Sequence, residues 1–293
     1  MDLQLAGIVD SRLLPDAEFR EAWEAIYVDA GLRERLVAQG LFSLVARRRL
    51  PFERAPLHRL ILLSGPPGTG KTTLARGLAN EIATHLPDVK PRFLQVDPHA
   101  CASAALGKSQ QLVTKLFQQT IPEAAADAPA IVLLDEVETL AGDRYRMSAE
   151  ANPIDVHRAV DAALAGLDLL TRSDADVLLI ATTNFPEAID PAFRSRADLV
   201  ATIPLPNAEA RRAILADTIA GMEAAWPKIA GLRKHLPEFI AASDGLDGRR
   251  LRKSVFAAAS STISTAQDPN LVSKADLLAA LRDAQAATKG GAR

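Results

Sequence analysis

Residues 59–73, RLILLSGPPGTGKTT, constrain this chain more than any other stretch. Residues 60–63 are a short apolar run that meets glycine and proline at once, the pattern of a buried parallel strand entering a turn. Gly65, Pro66, Pro67, Gly68, Thr69, Gly70, Lys71 and Thr72 fit G-x-x-x-x-G-K-[ST], with Thr73 following. Leu74, Leu78 and Ile82 then recur at helical spacing. A chance match in a surface turn is the bland alternative, and it does not explain a strand before the loop and a helix after it. Glycines let successive backbone N–H groups turn towards phosphate oxygens, and the helix N-terminus adds the positive end of its dipole. In such a loop Lys71 reaches the β- and γ-phosphates and the Thr72 hydroxyl ligates Mg²⁺. The expected ligands are therefore ATP and Mg²⁺.

Charge and cysteine usage narrow the class. Lys+Arg 34 against Asp+Glu 36 is close to balance, so no overall field favours nucleic acid. Cys101 is the one cysteine, and His58, His85, His99, His157 and His235 lack ligand spacing, which excludes an internal disulfide and a cysteine-based zinc site. No run approaches the ~20 apolar residues that span a bilayer. The first residues lack a signal-peptide profile, so the cytoplasm is the expected compartment and no membrane partner is expected.

The rest of the first two thirds alternates. RFLQV (Arg92–Val96), AIVLL (Ala130–Leu134), VLLIA (177–181) and LVATI (199–203) read as strands, with helical stripes between them. This alternation predicts an α/β fold, a parallel sheet wrapped by helices with its ligand at the carboxyl ends of the strands. Asp16 after Pro15 is a candidate cap for a helix facing Phe19, Trp23 and Ile26. Beyond Pro206 strand signals stop, and 208–224, 233–243, 248–266 and 273–287 read as helices. The expected organisation is a tail at 1–12, an ATPase domain at 13–205, a small all-helical lid at 206–288 and a tail at 289–293.

Two acids end the third strand. A buried run delivers Asp135 to the Mg²⁺ shell and Glu136 to the water that attacks the γ-phosphate; adjacent carboxylates there are costly unless a cation compensates them. Asn184, after the next strand, is placed to orient that water, although alone it would be an ordinary turn residue. Arg196 follows on a loop from which its own phosphates are hard to reach, so a neighbouring subunit's nucleotide is the more natural target. The alternative for Arg196 is a surface ion pair with Asp198. Arg249, in the GLDGRRLRK segment at 245–253, opens a lid helix and is a candidate cation for the phosphates.

In this order GPPGTGKTT, LLDE, TTN, RSRAD and GLDGRRLRK resemble an AAA+ ATPase. LLPDAEFREAWEAIY, LLDEVETLAGDR, ATTNFPEAIDPAFRSRADLV and SDGLDGRRLRK closely resemble the pachytene-checkpoint AAA+ remodelers that act on HORMA-domain proteins, over residues 13–259. The resemblance implies a homo-hexameric ring. It matches Lys71 and Thr72 to Walker A, Asp135 and Glu136 to Walker B, and Asn184 to sensor one. Arg196 matches the finger acting in trans, Arg249 matches sensor two, and Arg194 is a lesser finger candidate.

Two departures stand out. Eukaryotic relatives carry an N-terminal adaptor domain, whereas about a dozen residues precede the core here. Their pore loop has an aromatic grip, and the matching 103–109 stretch offers Ala105 and Leu106. Compact members of this kind resemble bacterial antiphage components that separate a HORMA protein from its nucleotidyltransferase and so restrain cyclic-oligonucleotide signalling. Two other readings remain at this point, a loader acting on DNA and a nucleotide-gated scaffold that does not thread substrate.

Overall fold

Fully apolar runs become central strands here because a parallel strand buried on both faces needs apolar side chains in both directions. The computed structural model describes residues 7–47, 49–96, 108–142 and 153–290. The chain divides into two compact units, one of residues up to 65 together with 71–203, the other of 66–70 together with 204 onward.

The first unit runs β1 (Ile8–Leu13), α1 (Ala17–Ala25), α2 (Ala30–Arg47), β2 (Leu60–Ser64), α3 (Lys71–Thr84), β3 (Arg92–Val96) and α4 (Lys108–Lys115). It continues through a π-helical turn (Leu116–Thr120) into α5 (Ile121–Ala124), β4 (Ala130–Leu134), α6 (Pro153–Arg172), β5 (Val177–Thr183), α7 (Pro191–Ser195) and β6 (Leu199–Thr202). Among the described residues the sheet has six strands in the order β1-β3-β4-β5-β2-β6. β2 pairs in parallel with both β5 and β6, so the strand order reverses beside it. That switch point opens the crevice where ligands of such sheets bind.

Alternate residues divide the core. Leu62, Leu94, Val132 and Leu179 pack with Val113, Phe117, Val160 and Leu167 on one face. Ile61, Phe93, Ile131 and Ile180 pack with Phe19, Leu36, Leu74 and Leu78 on the other. Asp16 caps α1 by accepting from the Phe19 amide, and the Phe19 ring meets Phe93 edge-on at 4.7 Å. Gly77 lets α3 approach α1, since a Cβ there would press on the Trp23 backbone.

Residues 8–12, expected within a tail, instead form most of β1, antiparallel to β3 with Ser11 opposite Leu94. The strand escapes the hydrophobic pattern because Val9 and Leu13 are exposed. Its support is main-chain pairing and a charged lattice in which Arg12 binds Asp10, Asp16 and Glu18 and lies 4.5 Å from the Phe19 ring centre. A short, charged edge strand of this kind also discourages further pairing.

The second unit contains α8 (Ala208–Glu223), a 3₁₀ segment (Pro227–His235), α9 (Leu236–Ala241), α10 (Gly248–Ala259), α11 (Ile263–Gln267) and α12 (Lys274–Gly290). Leu215, Phe239, Leu246, Leu251, Leu277 and Leu281 form its centre. The helix expected over 248–266 is two helices. Thr262 and Thr265 form a capping box that starts α11 afresh. The helix expected from 233 begins as the 3₁₀ segment that Pro227 opens, and the C-terminal helix extends to Gly290, past its expected end.

Candidate active site

β2 ends at Ser64, and the chain turns through three left-handed glycines, Gly65 at φ 148°, Gly68 at 81° and Gly70 at 87°. A side chain is excluded twice over, by conformation and by space. A Cβ on Gly65 would collide with the Ile203 carbonyl oxygen, and one on Gly68 with the Asp247 carboxylate. The Thr69 hydroxyl donates to the Pro66 carbonyl at 2.9 Å, while Pro66 and Pro67 are exposed. Lys71 opens α3, is buried, and donates from Nζ to the Gly65 carbonyl at 2.8 Å. A glycine turn with backbone in these conformations, a buried ammonium and a helix N-terminus together fit a polyphosphate. Thr73, one residue beyond Thr72, is exposed on α3.

At the end of β4 the two carboxylates separate. Asp135 Oδ1 accepts from the Thr72 hydroxyl at 2.8 Å and from the Thr182 hydroxyl at 2.6 Å. Thr182 in turn accepts from the Glu136 amide at 3.0 Å. Glu136 is exposed and holds a left-handed backbone, φ 52° and ψ 53°. Such a conformation is costly for a residue with a side chain and persists where surroundings enforce it, often at functional sites. Asn184 Nδ2 donates to Glu136 Oε1 at 3.3 Å, and the Asn184 amide donates to Glu138 Oε1 at 3.2 Å. Lys71, Thr72, Asp135, Glu136 and Asn184 therefore share the carboxyl edge of the sheet.

Thr72 and Asp135 supply converging hard oxygen donors, a set that suits Mg²⁺ better than a softer metal. Among the described residues no cluster of three His, Cys, Asp or Glu could hold a metal alone. Mg²⁺ commonly takes one or two protein oxygens, with phosphates and water completing its shell.

Arg196 lies elsewhere. Leu199 pairs with Ile61, so Arg196 precedes the amino edge of the sheet, whereas the phosphate loop leaves the carboxyl edge. Five residues of β2, at ~3.3 Å each, put roughly 16 Å between those edges. The alternative reading, an ion pair with Asp198, is not what forms. The Asp198 carboxylate instead accepts from the His58 amide at 3.0 Å and the Leu60 amide at 3.1 Å, fixing the entry to β2. Burial pushes the Asp198 carboxyl above its usual range, and these amide bonds pull it partly back. Arg196 pairs with Asp168 on α6, Nε to Oδ1 and Nη2 to Oδ2, both at 2.8 Å. Hydrogen bonding from Arg196 holds the Asp168 carboxyl below the usual range and raises the guanidinium. Arg194 is exposed at the end of α7.

In the second unit Asp247 caps α10 by accepting from the Arg250 amide at 2.9 Å. The Arg249 amide donates to the Gly68 carbonyl at 3.3 Å, and its side chain is exposed. Ala105 and Leu106, the expected pore contacts, lie outside the described residues.

Sequence reasoning missed Thr182, Glu138 and Asp168. The signal for Thr182 was a hydroxyl closing an otherwise apolar strand, and for Glu138 a third carboxylate in DEVE. Nothing near Asp168 in sequence points to Arg196.

Comparison with known proteins accords with this geometry. Residues 61–205 match the ATPase family associated with various cellular activities (AAA). The chain is 45% identical over 281 residues to CD-NTase-associated protein 6 of Pseudomonas aeruginosa, covering 95% of this chain and 92% of that protein. The structure of C. elegans PCH-2 superposes with a TM-score of 0.75 at 26% identity, covering 98% of this chain and 77% of that one. A chain of the E. coli MS115-1 HORMA:CdnC:Trip13 complex shares the fold, with a TM-score of 0.74 at 21% identity and coverage of 94% and 95%. Among the described residues no helix is long and apolar enough to cross a membrane. A phosphate loop on the switch-point strand, acids and amide converging beside it, and likeness along nearly the whole chain have one source: this chain belongs to the AAA family of ATPases, on the branch of CD-NTase-associated protein 6.

Proposed function

We propose that the chain is an ATP-driven ring remodeler that disassembles a HORMA-domain protein from a nucleotidyltransferase and so restrains a cyclic-oligonucleotide antiphage system. The observation that carries this reading is 45% identity over 92% of a CD-NTase-associated protein. The fold shared with a chain of a HORMA:CdnC:Trip13 complex supports the same partner class.

In this reading the loop at 65–73 binds ATP, with Lys71 at the terminal phosphates. Thr72 and Asp135 would hold Mg²⁺, which would supply neutralisation of the phosphate charge. Glu136 accepts a proton from the attacking water, and Asn184 holds Glu136 and that water in line through its amide. Arg249 reports nucleotide state to the helical unit. Arg196 serves the neighbouring subunit's nucleotide, because its own phosphate loop leaves the opposite edge of the sheet. Head-to-tail interfaces close into rings when their rotation permits, and a homo-hexamer satisfies that requirement.

The test uses Glu136→Gln protein with ATP and Mg²⁺, which is expected to retain the HORMA protein of such a system. Native protein is expected to release the nucleotidyltransferase from it during hydrolysis. Absence of HORMA retention would overturn the partner assignment. DNA-stimulated hydrolysis with a steep salt dependence would favour a loader instead. Mixing Arg196→Ala with Glu136→Gln subunits is expected to restore some hydrolysis at sites pairing an intact Glu136 with a neighbour's Arg196. No gain on confirmed co-assembly would overturn the trans role.

A further inference from the structure

The Arg196 guanidinium is held on two sides by groups of its own chain. Nε and Nη2 mate with both oxygens of Asp168, and Nη1 donates to the Ala192 carbonyl at 2.8 Å. The two holders come from different elements, Asp168 from α6 and Ala192 from α7, so the planar fork is fixed in orientation as well as place. This count leaves one N–H on each terminal nitrogen for an outside acceptor, the number a bidentate phosphate contact requires. His58 Nε2 stands 3.8 Å from Asp168 Oδ1, but burial lowers the His58 pKa, and Arg172 adds only a weaker electrostatic pull, so Arg196 is the main cation acting on Asp168 near neutrality.

We infer that Asp168 is a positioning residue for Arg196, holding the guanidinium with two N–H groups presented to the neighbouring subunit's γ-phosphate. The inference rests on the trans role of Arg196 proposed above. An arginine left to search its rotamers pays that entropy at each encounter, whereas a fork fixed on its Nε edge meets the phosphate already oriented. Asn at 168 keeps the shape but offers one oxygen and an NH₂ group, and that NH₂ opposes a guanidinium donor.

The test measures steady-state hydrolysis by the assembled full chain with ATP and Mg²⁺, together with melting curves. Asp168→Asn is expected to lower kcat about tenfold while the KM for ATP stays within about twofold. Asp168→Glu, which keeps the carboxylate, is expected to recover part of the loss. The decisive arm mixes Asp168→Asn with Glu136→Gln subunits. Activity should rise above either alone, because the intact Glu136 of one chain then faces the intact Asp168–Arg196 pair of its neighbour. A purely structural defect would stay with the Asp168→Asn chain and gain nothing from its neighbour. If Asp168→Asn fails to fold, Asp168→Ser is run through the same mixture. Native or faster hydrolysis by folded Asp168→Asn or Asp168→Ser protein, or no gain on mixing, overturns the inference. Native hydrolysis by Arg196→Ala would instead overturn the role on which it rests, so the two failures are told apart.

Discussion

The Thr182 hydroxyl donates to Asp135 Oδ1 at 2.6 Å and accepts from the Glu136 amide at 3.0 Å, so one buried side chain on β5 sets both acids at the end of β4. It turns the Asp135 carboxylate towards Thr72 and pins the backbone of Glu136 in its left-handed conformation. The two carboxylates thereby face different partners despite being adjacent in the chain, Asp135 the Thr72 hydroxyl and Glu136 the Asn184 side-chain amide.

Replacing Thr182 with Val keeps the shape and removes the hydroxyl. The Glu136 amide and the Asp135 carboxylate then lose their bonds to that hydroxyl, at a cost of about 1–3 kcal/mol in stability. Hydrolysis is expected to fall about tenfold with a smaller change in nucleotide affinity, because the phosphate loop is untouched. Thr182→Ser should retain most activity. Chemical denaturation beside steady-state ATPase assays checks both; native activity in Thr182→Val would sink the assignment.

Glycine substitutions should sort by what a Cβ would meet. Gly65→Ala confronts a left-handed φ and the Ile203 main chain, and is expected to lose folded protein or ATP binding outright. Gly68→Ala meets the Asp247 side chain, so the α10 cap is disturbed too, at about 1 kcal/mol on top of the loop strain. Gly221 is exposed within α8 with open space beside it, and Gly221→Ala should stabilise by roughly 0.5–1 kcal/mol. Melting curves with and without ATP rank the three, and the reverse order would contradict the geometry.

Arg249→Ala should lower kcat more than ATP affinity. The Arg249 amide stays on the Gly68 carbonyl whatever side chain follows, so the loop keeps its support while the cation is lost. We expect about a tenfold fall in kcat and a Kd change smaller than that of Lys71→Ala. Calorimetry of nucleotide binding decides it; equal binding losses would assign Arg249 to affinity.

His58 provides a pH signature. Burial lowers its folded pKa below the ordinary value near 6.5, against the opposing pull of Asp198 and Asp168 and alongside Arg196. The unfolded chain therefore binds more protons in the window below that value, and stability falls as pH drops through it. His58→Gln should flatten the pH dependence of unfolding below about pH 6.5. An unchanged slope would show that another group sets it.

The core strands and most helices were legible in the sequence because they obey local rules. Leu60–Ser64 and Ala130–Leu134 are almost wholly apolar runs long enough for a strand, and Arg92–Val96 is a strand-length stretch carrying Phe93, Leu94 and Val96. The phosphate loop was equally legible, since its glycine spacing reflects backbone conformations at Gly65, Gly68 and Gly70 that side chains resist. Asp135 and Glu136 followed from their place at a strand end. What escaped depends on partners remote in sequence. β1 is held by main-chain pairing to β3 and by Arg12, and neither leaves a period to read. Thr182 meets Asp135 from 47 residues away, and Asp168 meets Arg196 from 28. Which carboxylate an arginine takes is a matter of which helix end folds beside it, so Asp198, two residues from Arg196, serves the amides of His58 and Leu60 instead. Local spacing determined the loop, the strands and which polar side chains stand at the strand ends; three-dimensional packing alone decided their orientation, because a hydrogen bond depends on distance in space and not on separation along the chain.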